Sequence, residues 1–318
     1  MLANFTLKQL TYFVGAAEAG TTSAAAERFF MNQSSMSAAL TELEAALGVQ
    51  LFIRRRGKGL ELTNTGRALL PEARRLVRNA EEFGGRAGTL QNRLSGRLVV
   101  GCFDTIAPAV LPPLLHRFRN RHPDVEVDFL EGGQAELQAA LFDGRIELSI
   151  MYDYDLPAGL ERAVVYQPVP HILVSTEHPS AARSEVSLQE VAGDPFIMIK
   201  TSPARPLIMQ AFAAAGVTPN IRFNSGNFDH IRSLVQEGMG YSMISQAPGA
   251  TPAHWTHDVV AIPISDPVPP AYVVIASVPQ ARLTRRAQAF RDFCLHPGPI
   301  GSPAGAADWS AGKPPGRS

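Results

Sequence analysis

The chain holds 318 residues with 29 Lys and Arg against 29 Asp and Glu, a formal net charge of zero, which argues against a uniformly basic nucleic-acid coat. The length leaves room for two or more domains; no basic segment followed by a long apolar core opens the chain, and no apolar run reaches membrane-spanning length. These features predict a soluble cytoplasmic protein with no membrane contact, and its charge is uneven: residues 1–95 hold twelve Lys and Arg against eight Asp and Glu, a net +4 that leaves −4 on the rest.

In chain order, Leu7, Leu10, Phe13, Val14 and Ala17 predict a first amphipathic helix ended by Gly20, with Thr22 or Ser23 starting the next. That second helix is rich in small residues (Ala24, Ala25, Ala26), which permits close approach by a third. Asn32 is a good N-cap for the third helix, Met36, Leu40, Leu43 and Leu47 fall on one face, and Gly48 sits where a left-handed C-terminal cap is wanted. Gln33, Ser34, Ser35, Ser37 and Thr41 lie off that face as short hydrogen-bonding groups able to approach base edges; a plain solvated face is the alternative. Downstream, Leu51, Phe52, Ile53 and Leu60, Leu62 flank a Gly-containing basic tip, which predicts a hairpin. Arg54, Arg55, Arg56 and Lys58 on that tip are candidate phosphate anchors beside a helix-turn-helix. The partner implied is double-stranded DNA.

From Leu69, apolar or small residues recur at Ala73, Leu76, Ala80, Phe83, Ala87, Leu90 and Leu94, alternating steps of four and three that make a heptad seam. Arg74, Arg75, Arg78, Glu81 and Glu82 fall outside it. Such a seam predicts self-association, as a homodimer or homotetramer that straddles two half-sites; a helix lying across its own domain is the alternative. Pro71 inside the pattern predicts a bend near its start, and Gly84 and Gly85 weaken it.

The body alternates strands and helices. LVVGCF over 98–103, a helix around 107–121, VEVDFL, a helix near 134–142 and IELSIMY predict a parallel sheet with helices on both faces. The rhythm repeats through HILVST, a short helix near 187–191, FIMI, a helix at 204–215, NIRFN, a helix at 228–236 and YSMIS. AYVVIAS and a last helix at 285–294 return to the first half, so two lobes joined by crossing strands enclose a cleft. Ligands in such folds bind outside the carboxyl ends of strands. Those ends carry Phe103-Asp104-Thr105, Met151-Tyr152, Lys200-Thr201-Ser202 and Asn224 to Asn227. Residues 296–318 contain ten Gly or Pro among twenty-three and read as a disordered tail.

The run from Leu7 to Gly66 resembles the winged helix-turn-helix of LysR-type transcriptional regulators. The matching pieces are Phe13, Ala17-Glu18, Gly20, Ala25-Ala26-Glu27-Arg28-Phe29, Gln33, Ser37, Leu43-Glu44, Leu47-Gly48, Leu51-Phe52, Arg54 or Arg55, and Leu62-Thr63 with Gly66. The chain departs from the family's habit at Ser34, where Pro is usual, and at Ala38, where a basic residue is common. The resemblance implies an α/β protein with an N-terminal winged helix-turn-helix over 1–66 and a long linker helix over 67–95. It implies next a two-lobed α/β effector-binding domain over 96–296 resembling periplasmic binding proteins, lobe I about 96–166 and 267–296 and lobe II about 167–266, with the tail from 297. It also implies a small-molecule effector, with Phe103, Thr105, Tyr152, Thr201, Ser202, Asn227 and Phe228 as candidate contacts. Capping is the competing role for Ser202 and Asn227, and core packing for the aromatics. Asp104 at the pocket mouth repels a carboxylate, so either it points away or the effector carries a donor. RNA polymerase stands as a further candidate partner.

Catalytic readings fare poorly: no GxSxG, phosphate-loop, HExxH or paired-Cys motif is present, so no enzyme, cofactor or metal is expected. His254 and His257 are a weak metal pair without a third ligand, and Cys102 and Cys294 sit in apolar surroundings as inert thiols. A DNA-binding protein whose body serves only assembly, or a small-molecule enzyme with an incidental DNA-binding module, are the alternatives.

Overall fold

The computed structural model describes residues 4–55, 59–88, 94–246, 258–279 and 282–296, with the backbone alone at 54, 55, 85–88 and 246. Arg56, Lys58, Leu90, His254, His257 and the tail from 297 lie outside the described residues.

The head packs α1 (Leu7–Ala19), α2 (Thr22–Arg28) and α3 (Gln33–Leu47) with a hairpin of β1 (Phe52–Arg55) and β2 (Gly59–Leu62). Thr6 and Gln9 cap α1 reciprocally, the Thr6 side chain accepting from Gln9 N at 3.2 Å, and Gly20 closes it at φ 68°. The buried face of α1 is Leu10, Phe13 and Ala16, whereas Leu7 is 45 % exposed, so the helix is rotated from the face its apolar residues predict. Helix α2 starts at Thr22, as the sequence suggests, and Thr21 caps it by accepting from Ala24 N at 3.1 Å. Asn32 caps α3, its Oδ1 accepting from Ser35 N at 2.7 Å, Met36, Leu40 and Leu43 are buried, and Gly48 closes the helix at φ 69°. Burying three such side chains stabilises the head by roughly 2 kcal/mol each. The hairpin is antiparallel, pairing Phe52 with Leu62 and Arg55 with Gly59.

Helix α4 (Asn64–Gly88) begins before the linker boundary that the sequence suggests. Leu70 and Ala73 are buried in the head core, while Leu76 and Phe83 are exposed at 46 % and 75 %. Two of the arginines that fall outside the seam are held by other parts of the chain. Arg74 is buried and donates to Asp143 O at 2.8 Å and to Glu18 Oε1 at 3.4 Å. Arg78 donates to Gly144 O and faces Glu147 at 4.0 Å. Partner carbonyls in the body, far along the chain, override the local pattern.

Lobe I is built from β3 (Gly96–Phe103), α5 (Ala107–Arg121), β4 (Val125–Gly132), α6 (Gln134–Phe142), β5 (Leu148–Tyr152) and β6 (Glu161–Tyr166). The chain then crosses through β7 (Val169–Ser175) into lobe II, with α7 (Leu188–Val191), β8 (Pro195–Ile199), α8 (Ala204–Ala214), β9 (Asn220–Ser225), α9 (Phe228–Gln236), β10 (Ser242–Gln246) and β11 (Val259–Pro263). It returns through β12 (Val273–Ser277) and ends on α10 (Arg285–Leu295). The lobe I sheet runs β4-β3-β5-β12-β6, with β12 antiparallel to both its neighbours. In lobe II the pair β8-β9 joins the β10-β7-β11 sheet through a bridge between Phe196 and Tyr241, giving β9-β8-β10-β7-β11. There β7 is the antiparallel strand. The two sheets therefore share one plan, and each takes its fourth strand from a crossing segment. An all-parallel sheet is corrected to a mixed one for that reason. Strands β6 and β11 have no counterpart among the predicted elements. Each lobe has its own buried cluster, one around Phe103, Phe118 and Phe290, the other around Phe196, Phe212 and Tyr241. Cys102 and Cys294 are free thiols buried in the first, and burial pushes both up from the ordinary thiol range.

Candidate functional site

Two surfaces gather polar groups without an evident structural task. The first is the N-terminal end of α3. Gln33, Ser34, Ser35 and Thr41 are exposed there and Ser37 is half-buried. Two of the hydroxyl protons are already used: Ser34 Oγ donates to Asn32 Oδ1 at 2.7 Å and Thr41 Oγ1 to Ser37 O at 3.0 Å. Gln33 and Ser35 carry no such side-chain bond among the described residues. The hairpin stands beside this helix, because Glu44 of α3 accepts from Leu51 N and Phe52 N at 2.8 and 3.0 Å. Leu60 N donates to Gly20 O at 2.7 Å, and at Gly59 (φ 83°) an added Cβ would lie 2.5 Å from that same carbonyl oxygen, so only glycine fits. The backbone thus places Arg54 and Arg55 near the hairpin tip, opposite Leu60 and Gly59.

The sequence missed two features here. Glu44 docks the hairpin, although a charged residue off the apolar stripe signals only solvation. Phe30, in the turn before α3, has φ 53° and is 98 % exposed, an aromatic held in the left-handed region with its ring in solvent.

The second surface is a cavity of about 630 Å³ between the lobes. Thr105, Tyr152, Asn227 and Phe228 line it. Phe103 does not: it is wholly buried, edge-on to Tyr152 at 5.6 Å, so it belongs to the core beneath the wall. Thr201 and Ser202 also fall outside the wall, displaced by Ala204, Leu207 and Ile208 on the inner face of α8. Asn227 keeps its capping role as well, Oδ1 accepting from His230 N at 3.2 Å. Burial pushes the Tyr152 phenol up to about 12, against a hydrogen bond with Thr105 that lowers it. Asp104 also lines the cavity; its carboxylate accepts from Thr105 N at 2.7 Å, and burial holds it above the ordinary carboxylate range despite that bond. The two crossing segments add Gln167, Pro168 and Val268 to Ala271, and the start of α5 and strand β10 complete the wall. The Pro-Val-Pro repeats of the crossing segments, 168–170 and 267–269, were a readable signal. A larger hollow of about 1250 Å³ lies between α4 and α10.

Among the described residues no group of three or more His, Cys, Asp or Glu is placed to hold a metal. Nor is any described helix long and apolar enough to cross a membrane.

Comparison with known proteins accounts for both surfaces. Residues 7–67 match the family described as "Bacterial regulatory helix-turn-helix protein, lysR family", and residues 91–297 match the "LysR substrate binding domain". The chain is 32% identical to the HTH-type transcriptional regulator TtuA of Agrobacterium vitis over 75% of this chain and 79% of that one. It is 33% identical to the crystal structure of HinK, a LysR family transcriptional regulator from Pseudomonas aeruginosa, covering 92% of this chain and 98% of that one with a TM-score of 0.60. Full-length CbnR, solved with its target DNA, shares the fold at 22% identity and a TM-score of 0.64 over 92% of this chain and 99% of CbnR. With both family regions in place, the first on the helix-turn-helix and the second on the two-lobed body, the chain belongs to the LysR family of DNA-binding transcriptional regulators, a family of regulators rather than enzymes.

Proposed function

We propose that this chain is a ligand-responsive regulator in which residues 1–66 read DNA, 67–95 pair two copies, and 96–296 sense a small molecule. On this reading α3 enters the major groove with Gln33, Ser34, Ser35, Ser37 and Thr41 toward base edges, and Arg54, Arg55, Arg56 and Lys58 hold phosphates. The exposed Leu76 and Phe83 on α4 support self-association, since two apolar side chains at heptad spacing are left uncovered within one chain. The protein acts in the cytoplasm, where its operator lies.

The observation that carries the sensing role is the interlobe cavity, whose volume suits a metabolite and whose wall mixes convergent polar groups with apolar side chains. Ligand contacts at Thr105, Tyr152, Asn227 and Phe228 follow from their place on that wall, while Phe103, Thr201 and Ser202 act behind it. The test is a metabolite screen by thermal shift followed by footprinting of operator DNA with each stabiliser. The expected outcome is a ligand that raises Tm and changes the footprint. A screen with no stabiliser and an invariant footprint would leave the body with assembly as its only task.

A further inference from the structure

The interlobe cavity has a charge character that its fold position does not dictate. Among the described residues of its wall the ionisable side chains are the carboxyls of Asp104 and Asp229 and the phenols of Tyr152 and Tyr166; no Lys, Arg or His is among them. Four bases adjoin wall residues in sequence without joining the wall: Lys200, beside Ile199, is exposed, and the other three are engaged elsewhere. Arg205 donates to Asn224 Oδ1 at 3.2 Å, His230 Nδ1 lies 3.4 Å from Ser225 Oγ, and His171 Nδ1 lies 2.9 Å from Val169 O.

Helix N-termini are the other source of positive potential in a cleft; a carboxylate stands in the first turn of one of the three that reach this one and just before another, although α5 itself has no side-chain cap. The Asp104 carboxylate stands just before α5 and takes the Thr105 N–H. Asp229 sits in the first turn of α9, whose cap is supplied by Asn227. The third, α8, starts at Pro203 with no side-chain cap and offers backbone N–H groups to a neutral acceptor such as a hydroxyl or carbonyl. The rest of the wall is apolar: Leu207, Ile208, Phe228, Met243 and Val268.

Resting on the reading of this cavity as the ligand site, we infer that it selects a protonated amine: a ligand whose ammonium or amidinium group is neutralised by Asp104 and Asp229, one from each lobe, and whose aromatic or branched aliphatic body lies on the apolar wall. A carboxylate entering the same space meets two like charges and no cation. The phenol rings and Phe228 favour a cation further through their faces. Burial holds Asp104 above the ordinary carboxylate range, and a bound cation reverses that displacement.

The test uses the full chain and shape-matched triples that differ at one terminus: phenethylamine, 3-phenylpropionate and 3-phenyl-1-propanol, then tryptamine, indole-3-propionate and the corresponding indole alcohol. Thermal shift and calorimetry are run at low salt on the native chain and on Asp104→Asn/Asp229→Asn. The inference expects the amines to bind at least about tenfold more tightly than their carboxylate counterparts, a preference that the double variant loses. Carboxylates or alcohols that bind as tightly as the amines overturn the charge assignment and leave the cavity standing as a ligand site. If no member of either series shifts the native chain, the inference falls, and the metabolite screen alone decides the cavity reading. Should the double variant fold poorly, the amine–carboxylate comparison on the native chain alone still decides.

Discussion

The head and the cleft both present helix N-termini, and they treat them in opposite ways. At α3 the cap is the neutral Asn32, and Gln33, Ser34 and Ser35 stand exposed around an end that keeps its positive potential. In the cleft, Asp229 sits in the first turn of α9 and Asp104 stands three residues before α5. The net +4 of residues 1–95 against −4 for the remainder repeats this contrast over the whole chain. On the proposed reading one backbone device serves an anionic polymer in one place and disfavours small anions in another, according to the side chains that stand near each helix end. Such segregation keeps the ligand site from competing for nucleic acid.

The contrast can be broken from the head. Replacing Arg54 and Arg55 together by Ala should have the largest effect, lowering DNA affinity about a hundredfold on every sequence and flattening the log–log salt slope by about 1.8, as for two lost phosphate contacts. Anisotropy titrations over a range of salt check this, and unchanged binding removes the hairpin from the interface. A smaller, sharper change is Asn32→Asp, which puts a carboxylate at the N-terminus of α3. Asp caps as well as Asn, so the head should melt at the same temperature while DNA affinity falls about tenfold. Parallel loss of both would mean that the cap, not the charge, matters. The smallest effect is expected of Asn32→Ala: about 1 kcal/mol of head stability, read by denaturant unfolding, with affinity reduced only as far as α3 frays.

The sequence made the head legible because its signals are local. Asn32, Gly48 and the Met36-Leu40-Leu43 stripe each act within one helix, and no distant partner overrides them. The strand order of the body was less readable, since β7 and β12 cross between lobes and turn an expected parallel sheet into a mixed one. In β6, Glu161 and Arg162 are exposed and only Val165 and Tyr166 are buried, so neither alternation nor a continuous apolar run marks the strand. Strand ends pointed to the right loops around the cleft but not to the right side chains. Phe103 ends its strand inside the core, while Thr105 lies past it in the turn before α5 and reaches the wall. The inner face of α8 was missed because Ala204, Leu207 and Ile208 look like any buried helical stripe. Nothing local marks Arg74 as buried, because the carbonyl that holds it belongs to Asp143, 69 residues away.

The crossing of β12 has a consequence for biosynthesis. In lobe I this strand lies between β5 and β6, and β6 pairs with no other strand of that sheet. The lobe therefore cannot close its sheet until residues 273–277 have been made, after the whole of lobe II. During that interval β5 and β6 have open edges, an arrangement prone to pairing with other chains. A nascent chain stalled anywhere in lobe II carries a finished head and an unfinished body, able to fold around Phe13 and Met36 long before it can fold around Phe103.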